Sequence, residues 1–129
     1  MSLNVAVVGL GSMGYGMARS CLQAGCDVYG FDVMADPVAR FVADGGATGD
    51  MGDLAPGFDA VVVVVLNAAQ VETVLFGDDG VVAKLRDGAV VMACATVPPD
   101  FARDMERRCH EHGVHFLDAP ISGGSVKAA

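Results

Sequence analysis

An apolar run, Asn4-Val5-Ala6-Val7-Val8, feeds directly into Gly9-Leu10-Gly11-Ser12-Met13-Gly14. This is G-x-G-x-x-G, and a helical pattern follows at once. In that spacing Gly9 permits a tight turn, Gly11 leaves the backbone open to a pyrophosphate, and Gly14 lets a helix lie close against a strand. Leu10, Ser12 and Met13 complete the loop. The helix then aims its free N–H groups and the positive end of its dipole at the phosphates. The motif alone means little in a chain with 17 glycines among 129 residues. Its surroundings give it weight. A second apolar run, Val28-Tyr29-Gly30-Phe31, ends in Asp32, 18 residues past Gly14. A carboxylate there can hold the ribose hydroxyls of a dinucleotide. Phe31 and Val33, which flank it, are counted with the cofactor contacts.

The same carboxylate bears on the choice of cofactor. A 2′-phosphate beside Asp32 would be repelled: two unit charges about 4 Å apart interact at about 4 kcal/mol with an effective dielectric near 20, before screening. No arginine immediately follows Asp32 to receive such a phosphate. NAD is therefore expected over NADP. The plain alternative is that Asp32 only caps a turn.

These residues need elements to position them. Met13, Met17 and Cys21, with Ala18 and Leu22 beside them, form one apolar face of a helix over about 12–24, with Gly25 as its stop. Residues 26–32 read as the second strand. Asp36-Pro37 reads as an N-cap and first helical residue, with Val38, Phe41 and Val42 as the buried stripe and Gly45-Gly46 as the end. A short third strand is placed near Ala47-Thr48, and one acid-capped helical turn over 50–54. Residues 59–66 carry five consecutive valines and read as a central parallel strand buried on both faces. A helix follows from Asn67 with Val71, Val74 and Leu75 on one face. A short turn over 81–85, a fifth strand over 89–94, a helix opened by Pro98-Pro99-Asp100 and a sixth strand over 114–117 complete the pattern. Alternating strands and helices give an α/β, Rossmann-type, doubly wound parallel sheet of about six strands in the order 3-2-1-4-5-6.

Ligands in such sheets lie beyond the carboxyl ends of the strands. The fourth strand leaves through Leu66-Asn67 and the fifth through Ala95-Thr96. On residue chemistry alone, Asn67 serves equally as a helix cap and Thr96 as the start of a turn. The last exit, Asp118-Ala119-Pro120-Ile121-Ser122-Gly123-Gly124-Ser125, offers a hydroxyl and exposed backbone N–H groups that suit a small carboxylate. On the same basis it is also an ordinary serine-glycine turn. Cys109, His110, His112 and His115 match no standard zinc spacing, so no metal is expected.

A chain of this length suits one domain able to bury roughly two-thirds of its unfolded surface. With 53% hydrophobic and 19% charged residues it is globular rather than disordered. Its net charge of −8 argues against nucleic acid or an anionic membrane as partner. The longest apolar run, 60–66, is too short to span a bilayer, and the N-terminus lacks the features of a signal peptide. The four cysteines include no C-x-x-C pair and suit reduced thiols in a cytoplasmic protein.

Gly9-Leu10-Gly11-Ser12-Met13-Gly14 and Asp118-Ala119-Pro120-Ile121-Ser122-Gly123-Gly124 occur together about a hundred residues apart. This pairing resembles the β-hydroxyacid dehydrogenase family, which includes 3-hydroxyisobutyrate dehydrogenases and is related to 6-phosphogluconate dehydrogenases. The resemblance covers essentially the whole chain. It implies an NAD-dependent oxidoreductase acting on a small carboxylate-bearing hydroxyacid. It assigns the substrate carboxylate to Ser122, Gly123 and Gly124, the nicotinamide end to Thr96, and the cofactor cleft to Leu66 and Asn67; Val71 is counted with the cofactor contacts. Asn67 departs from the leucine-proline common among relatives. Leu66-Asn67-Ala68-Ala69-Gln70-Val71-Glu72 and Ser125-Val126-Lys127-Ala128-Ala129 look most like the L-threonate dehydrogenase branch. Residues 1–129 are thus expected to form the cofactor domain. The family's helical domain, with its catalytic lysine and subunit contacts, is expected beyond Ala129. No catalytic residue is assigned within the chain, and Lys127 belongs to the substrate segment. The alternative class is a stand-alone NAD-binding sensor or interaction module without catalysis.

Overall fold

The computed structural model describes residues 3–119. Its elements are β1 (Asn4–Val8), α1 (Ser12–Gln23), β2 (Asp27–Phe31), α2 (Ala35–Ala43), α3 (Met51–Leu54), β3 (Ala60–Val63), α4 (Ala68–Phe76), β4 (Val90–Ala93), α5 (Pro99–Glu111) and β5 (His115–Asp118). Single 3-10 turns lie at Ala55–Gly57 and Val82–Lys84. The five strands form one parallel sheet in the order β2-β1-β3-β4-β5. The expected third strand is reduced to one parallel bridge, Ala47 to Tyr29, on the outer side of β2. The pairing stops there because Thr48 turns its hydroxyl onto the Gly30 carbonyl at 2.7 Å. The strand order is otherwise the expected one, with Ala47 where a sixth strand would begin.

The sheet is buried on both faces. On one side Val61, Val63, Val71, Leu75, Val91, Met105 and Phe116 pack together under α4 and α5. On the other, Val5, Val7, Val28, Val62 and Phe41 pack under α1 and α2. The valine run earns its place in both layers, because alternate side chains of β3 face opposite clusters. The strand ends at Val63 rather than at residue 66. Val64 still donates its N–H to the Val8 carbonyl at 2.8 Å, but β1 then turns away at Gly9, and on the other side β4 ends at Ala93, opposite Val63.

Helix α2 differs from the sequence expectation at its start. Met34 is the N-cap, Ala35 the first helical residue, and Asp36 lies within the first turn, where its charge favours the helix dipole. Phe41 is fully buried, whereas Val42 is 44% exposed. The phenyl ring of Phe41 sits where side chains on Gly30 and Gly46 would stand: a Cβ on either would come within 2.7 Å and 2.2 Å of the ring. These glycines make room for the largest fully buried side chain of that layer.

One polar tie closes the base of the sheet. Asp59 accepts the Asn4 N–H at 2.8 Å and pairs with Arg86. The Asn4 amide, and then the guanidinium, hold its carboxyl below the usual carboxylate range. A depressed folded-state pKa stabilises the fold above the ordinary carboxylate pKa, and this contribution disappears as pH falls through the folded value. Asp59→Asn should therefore lower the thermal midpoint at neutral pH. The gap from the parent should close as the pH drops below about 4. Thermal melts of both proteins across this range check it.

Candidate functional site

The first βα turn is built by steric necessity. Gly9 sits at φ 102°, and a Cβ there would lie 2.0 Å from the Val64 carbonyl oxygen. A Cβ on Gly14 would lie 1.8 Å from the Gly9 carbonyl oxygen. Only glycine fits either place. Gly11 is different, since its Cβ would meet nothing within 4 Å. Its missing side chain leaves open space outside the fold instead of relieving a contact within it. Gly11 is also the N-cap of α1 and provides no side-chain acceptor. No N-cap side chain therefore takes the first-turn amides of α1, and helix termini of this kind suit an anion.

A cleft of about 660 Å³ opens at this turn. One wall is Gly9, Gly11, Ser12, Met13 and Gly14, and the opposite wall is Val64, Val65 and Leu66 with the first turns of α4. Asp32 and Val33 close one end. The Leu10 N–H donates to Asp32 Oδ2 at 2.7 Å and the Met34 N–H to Oδ1 at 2.9 Å. The carboxylate thus ties the β1 turn to the β2 exit and caps its own turn, so the structural role weighed for it is present. A carboxylate offers about four acceptor sites, and two remain for hydroxyls. Val33 is fully exposed and Leu66 is 86% exposed, so two bare apolar side chains stand at the mouth of the cleft.

The other expected residues divide. Leu10 is buried and contributes its backbone N–H. Phe31 faces a second groove on the far side of Asp32, with Ala35, Val38 and Thr48. Asn67 is the N-cap of α4 and accepts the Gln70 N–H at 3.0 Å, while Gln70 Oε1 accepts the Leu66 N–H at 2.7 Å. This reciprocal cap fixes the Leu66 turn, and Asn67 does not line the cleft. Val71 is fully buried in the core. The α4 residues that reach the cleft are Ala69, Gln70, Thr73 and Val74, which sequence reasoning passed over except for Val74, placed on the buried face. The signal was the helical period running from Leu66 through Gln70 to Thr73. Thr96 is exposed just beyond β4, at the same carboxyl end of the sheet but outside the cleft wall. Ser122, Gly123 and Gly124 lie outside the described residues.

The histidines do not converge. The His110 and His115 rings meet edge to face at 6.2 Å, while His112 lies against Phe76. Among the described residues no group of three His, Cys, Asp or Glu side chains is placed to hold a metal, and no helix is long and apolar enough to cross a membrane.

The turn with no room for side chains, the uncapped helix and the carboxylate at the second strand exit fit a dinucleotide. Comparison with known proteins agrees: residues 4–129 match the NAD binding domain of 6-phosphogluconate dehydrogenase. The chain belongs to this NAD-binding domain family. It is 45% identical to an L-threonate dehydrogenase of Cupriavidus necator, across 100% of this chain and 44% of the relative. It is 36% identical to an NAD-dependent L-serine dehydrogenase of Pseudomonas aeruginosa, across 97% and 42%. The crystal structure of a 3-hydroxyisobutyrate dehydrogenase from Salmonella typhimurium superposes with a TM-score of 0.91 at 41% identity, covering 98% of this chain and 44% of that one. The chain thus spans less than half the length of these relatives.

The two glycines separate fold from binding. Gly14→Ala forces α1 off the turn and should cost about 3 kcal/mol, as overpacking against an unyielding neighbour does, with loss of NAD binding. Gly11→Ala should keep stability within about 1 kcal/mol, the usual span for an N-cap change, yet weaken NAD binding by filling the phosphate approach. Thermal melts and NAD titrations on both variants check this.

Proposed function

We propose that the full-length protein is an NAD-dependent dehydrogenase that oxidises the hydroxyl of a small hydroxyacid, with L-threonate as the leading candidate. The observation that carries this reading is the β1–α1 turn, whose glycines and uncapped helix leave a pyrophosphate site with Asp32 beside it. When bound, NAD supplies the hydride acceptor. Gly11 and the first-turn amides of α1 hold the phosphates. Asp32 takes the ribose hydroxyls and disfavours a 2′-phosphate, so NAD is preferred over NADP. Exposed Val33 and Leu66 offer the adenine two apolar surfaces. Thr96 serves the nicotinamide end. Ser122, Gly123 and Gly124 receive the substrate carboxylate and orient the reacting carbon. The proton-transferring lysine and the subunit contacts are assigned to a helical domain beyond this chain's cofactor domain, and the setting is cytoplasmic. The relatives named L-threonate, L-serine and 3-hydroxyisobutyrate dehydrogenase support the substrate class.

The test is turnover of the full-length protein with L-threonate, L-serine and 3-hydroxyisobutyrate, following NADH formation. Reduction of NAD with at least one of them is expected, and none with any short hydroxyacid would sink the reading. Asp32→Asn, which keeps an acceptor but removes the charge, should narrow the preference for NAD over NADP by about tenfold, or about 1.4 kcal/mol. An unchanged ratio of kcat/KM values would remove Asp32 from cofactor selection.

A further inference from the structure

The far end of α1 carries a feature that cofactor binding does not use. The helix closes in a Schellman turn: the Gly25 N–H donates to the Leu22 carbonyl at 3.0 Å and the Cys26 N–H to the Cys21 carbonyl at 3.0 Å, with Gly25 at φ 94°. In this turn the residues at the two ends of the outer hydrogen bond bring their side chains together, usually as an apolar contact. Here both of those residues are cysteines. Both are half-buried free thiols that pack against the same cluster under the sheet, and the residues between Leu22 and Cys26 are exposed, so a small reagent reaches the turn from solvent. The neighbouring thiols also sense each other: burial, and then Cys26, raise the Cys21 thiol above its ordinary range. The other two cysteines lie deeper. Cys109 is fully buried, with its thiol pushed up to about 11 by burial, and Cys94 is buried at the end of β4.

The geometry points to Cys21 and Cys26 as a modifiable dithiol that closes into an intramolecular disulfide when met by a small disulfide such as oxidised glutathione. A disulfide needs Cα atoms within about 7 Å and side chains that face each other, and the Cys26 N–H to Cys21 carbonyl bond of the Schellman turn draws these two residues together. The exchange balances. One cysteine thiolate attacks a sulfur of the small disulfide and displaces one thiolate. The second cysteine, as thiolate, attacks the protein sulfur of the mixed disulfide and displaces the other. The protein loses two electrons and two protons, and the small disulfide becomes two thiols. Reaction quickens with rising pH as the thiolate fraction grows.

Trypsin cuts after Arg19 and Arg40 and releases both cysteines in one peptide, 20–40. The native protein is incubated with oxidised glutathione, alkylated and digested. The proposal expects that peptide to be lighter by two hydrogen masses, to carry neither glutathione nor alkyl groups, and to regain both thiols with dithiothreitol. Cys26→Ser should stop the reaction at one glutathione on Cys21. A native peptide that retains glutathione, that is alkylated at both cysteines, or that is linked to Cys94, Cys109 or a second chain would overturn the proposal.

Discussion

The contact between Gly14 and the Gly9 carbonyl is the constraint on which the site depends. A Cβ at Gly14 would stand 1.8 Å from that oxygen and 3.4 Å from the Val64 side chain. Strand β1, helix α1 and the end of β3 therefore meet at a point where no side chain fits. The close approach sets the direction of α1, and that direction aims the positive end of its dipole into the cleft. It also stops β1 at Val8, so β3 loses its partner on that side and Val64, Val65 and Leu66 go on to line the opposite wall. Two walls of the cleft thus follow from the same missing atoms.

Asp32 adds the charge that the turn lacks. Its two oxygens already accept the Leu10 and Met34 N–H groups, so the carboxylate is held in place before any ligand arrives. A group fixed in this way would need no reorganisation to accept hydroxyl donors, which is how preorganisation improves affinity. The chain carries a net charge of −8, yet the glycine-turn end of the cleft is lined by backbone and small residues. Local dipoles, rather than net charge, decide what binds there.

Features set by local chemistry were legible in the sequence. Gly9, Gly11, Gly14, the strand into Asp32 and the alternation of strands and helices all follow from spacing within a few turns of chain. Features set by packing between distant elements were not. Val71, Val74 and Leu75 read as one apolar face of α4, and Val71 and Leu75 are buried, but Val74 and its neighbour Thr73 line the cleft, because the end of β3 decides which α4 side chains reach it. Val42 has the helical spacing of a buried residue, but α2 rotates to seat Phe41 against Gly30 and Gly46. The Ala47 strand was foreseen in place but not in extent, because the Thr48 hydroxyl bond to Gly30 ends the pairing. Asn67 was readable as a cap, and it caps α4.

The most direct test of the central claim is calorimetric titration of this chain with NAD and, separately, with NADP. The glycine turn and Asp32 together predict saturable NAD binding that is tighter than NADP binding by about tenfold or more, the surplus left after screening of the charge repulsion. Equal or tighter binding of NADP would contradict the role given to Asp32.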